Sequence, residues 1–302
     1  MCRLKTVLLS WLYCCHLIAA DASSSSSSST PSTYVSVRSL DKYGHSEQLQ
    51  NALKAANMHG TLVVGARDTS KNVTIFLSLL DASALPTSST AIVSKNPSML
   101  QLINGNPGFG ASNGRPVHRT AIVCTGLKGD TNWLVDKVRT YSHRVWNRYD
   151  AFIDAPGAAY AVSKYMRRFW KYDEEEEWSP GLLAPDLTGD EQENAWSRPL
   201  GICTMIASSS LPYLFVVEPS GVIQRYSAFA MGRGSHDVLE KLGNAIQKDD
   251  GSVGKIRRST DDLQESLIQT IKSSLVGSSK KGKYLLVEVL SNEGVVRDLV
   301  PI

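Results

Sequence analysis

The chain has 302 residues, of which 42% are hydrophobic and 20% charged, with a formal net charge of +3. That length can bury a full core in one large domain or two small ones, and so mild a charge gives no argument for a nucleic-acid partner. Of the five cysteines, Cys2, Cys14 and Cys15 crowd the start, while Cys124 and Cys203 lack CxxC spacing. This excludes a cysteine zinc site and a disulfide framework and leaves two buried thiols acting as small apolar residues.

Residues 1–22 have the make-up of a secretory signal: Arg3 and Lys5, an apolar centre over 7–20, and Ala20-Asp21-Ala22 as a small-residue cleavage pattern. The centre is short and interrupted by His16, so no membrane span is expected in the mature chain. Residues 23–33 are a serine run, too polar to bury anything, and read as a disordered linker. The folded part is expected to be a single domain over 34–302.

A short amphipathic helix is predicted over 45–57, with Leu49, Ala52, Leu53 and Ala56 on one stripe and Gly44 and Gly60 at its ends. Strands follow over 61–67 and 73–79, joined by a polar turn through 69–72. Asn72-Val73-Thr74 is a glycosylation sequon, which matters only on the secretory route. After a brief strand at 91–93, residues 96–118 are rich in Gly, Pro and Asn and read as an inserted surface loop. The pattern GNPGFG at 105–110 follows no predicted strand and belongs to that loop. A buried strand over 120–125 leads to a helix over 131–149, where Leu134, Val138, Tyr141 and Val145 recur at helical spacing. A second helix over 156–170 places Ala158, Ala161, Val162, Tyr165 and Phe169 on one face. Residues 171–196 carry the run DEEEE and read as a second insertion, a solvated acidic loop.

Residues 198–235 hold three short apolar runs, 201–207, 213–217 and 222–229, which read as strands of an antiparallel meander. Pro199 favours an extended entry, and Pro219-Ser220-Gly221 is a turn by its chemistry. A helix over 235–247 follows, with Val238, Leu239, Leu242, Ala245 and Ile246 as its stripe, then a polar loop over 248–258. The last elements are a helix over 260–276, with Asp261 and Asp262 in its first turn, and a hairpin of 284–290 and 295–299. Segregated helices and antiparallel strands make this an α+β chain.

The order RPLG (198–201), YLF (213–215), EPSG (218–221) and AMG (230–232), preceded by TGLKGD (125–130), resembles proteasome α-type subunits. The segment 40–55 is similar to the family's N-terminal helix: it keeps Gly44, Gln48, Leu49, Ala52, Lys54 and Ala55 and lacks the family's S-P-D and V-E-Y and the Y-D-R that precedes them. The resemblance implies a four-layer αββα sandwich, two antiparallel sheets between helix layers. It also marks Gly44, Gln48, Gly126, Asp130, Arg198, Pro199, Gly201, Pro219, Gly221 and Gly232 as motif positions of the structure. The implied function is that of a non-catalytic subunit in the outer ring of the proteasome core, which gates substrate entry and docks activators in ubiquitin-dependent degradation. Its partners would be homologous α and β subunits and proteasome activators, in cytoplasm and nucleus. The signal-like start points instead to the secretory pathway or an organelle lumen, where a paralogue outside any proteasome would carry sugar on Asn72.

Catalytic relatives of this fold attack with an N-terminal threonine whose freed α-amine serves as base. Gly60-Thr61 stands at the matching junction, so an active threonine hydrolase beginning at Thr61 is the enzymatic alternative, with Lys95 near the expected lysine. The acid expected on the second strand is replaced by Phe76, Leu77 and Ser78, with Asp81 a few residues late, so the chain is expected to have no catalysis of its own. Lys95 has a second family reading, as the lysine of a pocket that pairs with the terminal carboxylate of an activator. No cofactor is implied, and no phosphate loop, HExxH or metal-ligand set occurs.

Overall fold

The computed structural model describes residue 40 and residues 45–68, 71–81, 99–104, 119–167, 198–247, 260–275 and 283–302. The chain divides into two units, Met1–Ser36 and Val37–Ile302, and every described residue belongs to the second. The signal-like start, the serine run, Gly44, the strand expected at 91–93, Lys95, the loop at 105–110, Phe169, the acidic loop and 248–258 lie outside the described residues. The side chains of Asp81, Ala245 and Ile246 do so too.

Among the described residues, two five-stranded antiparallel sheets form the body. The strands are β1 (Val63–Asp68), β2 (Val73–Asp81), β3 (Leu100–Leu102), β4 (Thr120–Gly126), β5 (Ile202–Ser208), β6 (Leu214–Val217), β7 (Ile223–Tyr226), β8 (Ala228–Met231), β9 (Lys283–Leu290) and β10 (Val295–Pro301). The first sheet has the order β10-β9-β2-β1-β8 and the second β3-β4-β5-β6-β7. Side chains alternate between two faces along each strand, and the alternation assigns the layers. On β5, Cys203, Met205 and Ala207 enter a core with Val63 of β1 and Phe76 of β2, which is the space between the sheets. Ile202 and Ile206 of the same strand point the other way, against helices α2 (Lys128–Tyr149) and α3 (Ala155–Met166). On the far side, Val64, Ile75, Leu77, Leu285 and Val287 of the first sheet meet Val238 and Leu242 of α4 (Ser235–Gln247) and Leu263, Leu267 and Ile271 of α5 (Thr260–Ser274). Each large side chain fully enclosed in these layers contributes about 1.5–3 kcal/mol. The result is the expected four-layer αββα sandwich.

Helix α1 (Glu47–His59) starts where the Ser46 hydroxyl accepts from Leu49 N, with Glu47 in its first turn. The cap is therefore Ser46, two residues inside the expected boundary at Gly44. Ala56 is 1% exposed and reaches the core between the sheets. Helix α3 is set by Asp154, whose side chain accepts from Gly157 N at 2.9 Å, and by Pro156 in the first turn.

Three expectations need correction. The insertion expected over 96–118 contains strand β3, which pairs with β4 at the edge of the second sheet. At three residues it is too short to show a period. The run 222–229, expected as one strand, is two: β7 completes the second sheet and β8 crosses to the first, where it pairs with β1. No Gly or Pro marks the break, which falls at Ser227, whose carbonyl accepts from Arg67 N at 2.8 Å. Helix α2 begins three residues before the predicted 131, so Lys128, Gly129 and Asp130 form its first turn rather than a loop.

Candidate functional site

The junction of α1 with β1 carries the residues on which a catalytic reading depends. Thr61 joins Gly60 without a break, so its nitrogen is a peptide amide in this structure. Its carbonyl accepts from Thr125 Oγ1 at 2.7 Å, and the Gly60 carbonyl accepts from Arg233 N at 3.2 Å. Arg233 Nε donates in turn to the Met58 carbonyl at 3.0 Å. The loop after β8 thus grips the end of α1 and the first residue before β1. A Cβ on Gly126 would lie 2.2 Å from the Gly201 carbonyl, so the β4 exit passes directly against the β5 entry. On β2, Phe76 fills the core between the sheets, and Ser78, opposite Val63, has a buried hydroxyl without a partner.

The two motifs TGLKGD and RPLG meet at one carboxylate. Asp130, in the first turn of α2, accepts from Arg198 Nη2 at 2.7 Å and Nη1 at 2.8 Å, a two-pronged ion pair. Asp130 Oδ2 also accepts from Gly201 N at 2.9 Å, while the Gly201 carbonyl accepts from Leu127 N at 3.0 Å. The bond to Asp130 holds the Arg198 guanidinium above its ordinary value. The carboxylate carries more of the cluster than the guanidinium, because the Arg198 side chain is 47% exposed and that of Asp130 only 9%. Asp130→Ala strands the buried Gly201 N–H and is expected to cost about 2–3 kcal/mol. Arg198→Ala removes a half-solvated partner and is expected to cost about 0.5–1 kcal/mol. Urea midpoints of the two variants check the order, and equal midpoints would count against this apportioning.

Pro199 and Pro219 are buried. The turn at Pro219 closes with Gly221 N donating to the Glu218 carbonyl at 2.8 Å, and the Gly221 carbonyl accepts from Ser163 Oγ of α3. Burial raises the Glu218 carboxyl above the ordinary glutamate value of 4.5. A carboxyl raised in the folded state binds its proton more tightly there than in the unfolded chain. Its contribution is therefore full below its ordinary value and is lost as pH rises through the folded one. Glu218→Gln removes that loss. The variant is expected to gain stability over wild type as pH rises from 4.5 towards neutrality, checked by thermal unfolding across that range.

Gln48 lies on α1 and is half-buried, and Asn72 is exposed in the β1–β2 turn at a φ of 55°, its Oδ1 accepting from Arg67 Nη2 at 3.4 Å. Cys124 and Cys203 are free and buried, and burial pushes the Cys203 thiol up to about 12. Among the described residues no His, Cys, Asp or Glu group could hold a metal ion, and no helix is long and apolar enough to cross a membrane.

Two polar residues that the sequence reading did not single out tie the sheets together. Glu288 on β9 is fully buried: its Oε2 accepts from Met99 N at 3.2 Å and Leu100 N at 2.9 Å, at the edge of the opposite sheet. Its Oε1 accepts from Arg297 Nε of β10 at 3.0 Å. Arg67 on β1 is also fully buried and donates across the gap to the Ser209 carbonyl at 3.1 Å. Both stand at inward-facing positions of otherwise apolar strands, which is the signal that could have found them.

No family model matches the chain. It is 24% identical over 262 residues to a protein named proteasome subunit alpha type-7 from Cicer arietinum, covering 85% of this chain and 82% of that relative. Proteasome subunit alpha type-7-B of Arabidopsis thaliana is 24% identical over 256 residues, 83% of this chain and 80% of the relative. Proteasome subunit alpha type-5 of Drosophila melanogaster matches a shorter stretch, 25% identical over 127 residues, 41% of this chain and 46% of its own. Motif order, a sandwich of two sheets between helix layers and relatives matched along most of the chain agree in likening the chain to proteasome α-type subunits, at 24% identity.

Proposed function

We propose that the chain acts as a non-catalytic member of the outer ring of a proteasome core, in contact with homologous α and β subunits. In this reading 34–302 is one domain, and its ring gates substrate entry, docks activators and serves ubiquitin-dependent degradation in cytoplasm and nucleus. The observation that carries it is the junction at Gly60-Thr61. Catalysis by Thr61 requires a cut immediately before it, and that cut would remove α1 with its buried Ala52 and Ala56. It would also remove the Gly60 and Met58 carbonyls that Arg233 grips. Asp130, Arg198, Gly201 and Gly232 serve the reading as structural motif positions that set the helix and loop carrying those contacts. Lys95 is proposed to line the activator pocket.

The test is native purification of a C-terminally tagged chain, with intact mass and identification of what co-purifies. Recovery of other proteasome subunits, with α1 still attached to Thr61, is the expected result. A mature chain that begins at Thr61 would replace the proposal with a threonine hydrolase. A lone chain beginning near Ser23 and carrying a glycan on Asn72 would replace it with a secreted paralogue, the reading that the signal-like start favours.

A further inference from the structure

One amide side chain just past β3 joins three elements and plays no part in the reading above. Asn104 is 7% exposed. Its Oδ1 accepts from Thr120 N at 2.6 Å, and its Nδ2 donates to the Ile153 carbonyl. Thr120 Oγ1 donates to the same carbonyl at 3.2 Å, and Ile103 N donates to the Thr120 carbonyl at 2.9 Å. The side chain thus ties the end of β3 to the start of β4 and to the α2–α3 connection, where Ile153 is buried and Asp154 caps α3. This corner needs an acceptor and a donor on one short side chain. An amide supplies both, and a carboxylate supplies only the first.

Gly105 follows Asn104 in the sequence. It has no Cβ to keep its backbone nitrogen away from the amide carbon of the preceding side chain. We propose that Asn104 is a self-modification site guarded by the fold: it deamidates when the corner opens, and its product cannot rebuild the corner. In the step, the Gly105 nitrogen loses its proton to solvent base and bonds to Asn104 Cγ. The Cγ–Nδ2 bond breaks, and the leaving nitrogen takes a proton from water and departs as ammonia. Water then opens the cyclic imide to aspartate or isoaspartate.

Closing the ring requires the amide to turn towards Gly105, so both of its hydrogen bonds must break first. The folded corner therefore holds the reaction back. Aspartate would set a buried carboxylate oxygen against the Ile153 carbonyl with no donor between them. Isoaspartate adds a carbon to the main chain and carries the side chain away from Thr120. Either product blocks the return of the native contacts.

Mass-spectrometric peptide mapping of the full chain, held in mildly alkaline buffer with and without guanidinium chloride, tests the guard. Asn113-Gly114 serves as the reference for the unfolded rate. In denaturant the two sites are expected to convert at similar rates. Without denaturant Asn104 is expected to convert at least about 10-fold more slowly than with it. Equal rates at Asn104 in the two conditions would overturn the proposal, as would an Asn104 that stays intact in denaturant while Asn113 converts. Dilution from denaturant tests the block on refolding. Chains held longer in alkaline denaturant are expected to refold in falling yield, with converted Asn104 confined to the fraction that fails. Chains held in mildly acidic denaturant, where the Gly105 nitrogen keeps its proton, are expected to keep their yield. Converted Asn104 at equal shares in the refolded and failed fractions would overturn the block. Asn104→Asp is expected to unfold about 10 °C below wild type or not to fold at all, and a variant as stable as wild type would overturn the block as well.

Discussion

Glu288→Ala is expected to lower the stability of the chain by about 3–5 kcal/mol, because it leaves buried donors with nothing to accept their protons. The carboxylate is wholly enclosed and serves three donors, two of them backbone N–H groups at the edge of the facing sheet. Its ion-pair partner is a poor guide to this cost. Arg297 has a side chain 38% exposed, and for so solvated a pair Arg297→Ala is expected to cost about 0–1 kcal/mol. Chemical denaturation of both variants separates the two views of the residue. If Glu288 is mainly an ion-pair partner, the two midpoints fall together; if it is mainly an acceptor for the β3 backbone, only Glu288→Ala falls far. Glu288→Gln keeps an oxygen for one of those donors and is expected to lie between them.

Gly232→Ala is the second large expected effect. The residue has a φ of 92°, and a Cβ there would stand 2.1 Å from the Thr61 carbonyl oxygen and 2.8 Å from its carbon. These are backbone atoms, so no rotamer change relieves the contact. The start of β1 must move, and with it the bond from Thr125 to Thr61. The left-handed conformation alone costs roughly 1–2 kcal/mol for an alanine, and the enforced shift brings the expected total to at least about 3 kcal/mol. Gly234 provides the internal control. Its φ is 76°, and a Cβ there meets nothing within 4 Å, so Gly234→Ala is expected to show the conformational term alone. Thermal unfolding of the two variants side by side measures the steric remainder, and equal losses would mean that β1 has room to give.

The helix stripes were legible because Leu134, Val138 and Tyr141 recur at the helical period and all prove buried. The long inner strands were legible because β4 and β5 are β-branched and apolar at both faces, as expected of strands covered on both sides. The meeting of Asp130 with Arg198 was half legible. Each motif could be seen, but nothing local to either says that a carboxylate will accept from a backbone amide 71 residues away. Strand β3 was not legible, since its three residues owe their conformation to β4 beside them and to Glu288 across the gap. The split at Ser227 was hidden for a related reason. Apolar, β-prone residues run through 222–229, and only the presence of β1 as a second partner decides where the chain leaves one sheet for the other. Arg67 and Glu288 belong to the same class, because their use depends on strands that are distant in sequence.

The crossing at Ser227 also bears on the order in which the molecule can be built. Every described strand of the second sheet comes from one continuous stretch, Leu100 to Tyr226, so those strands have one another as partners before the last quarter of the chain is made. The first sheet is assembled from both ends: β1 and β2 are synthesised first but need β8, β9 and β10 to complete their ladder. Loop closure over that span is slow, and contacts this far apart in sequence form late. During synthesis the earliest hairpin is therefore left with both edges open until β8 covers β1, and its β2 edge stays open, an aggregation hazard, until β9 arrives with the final hairpin.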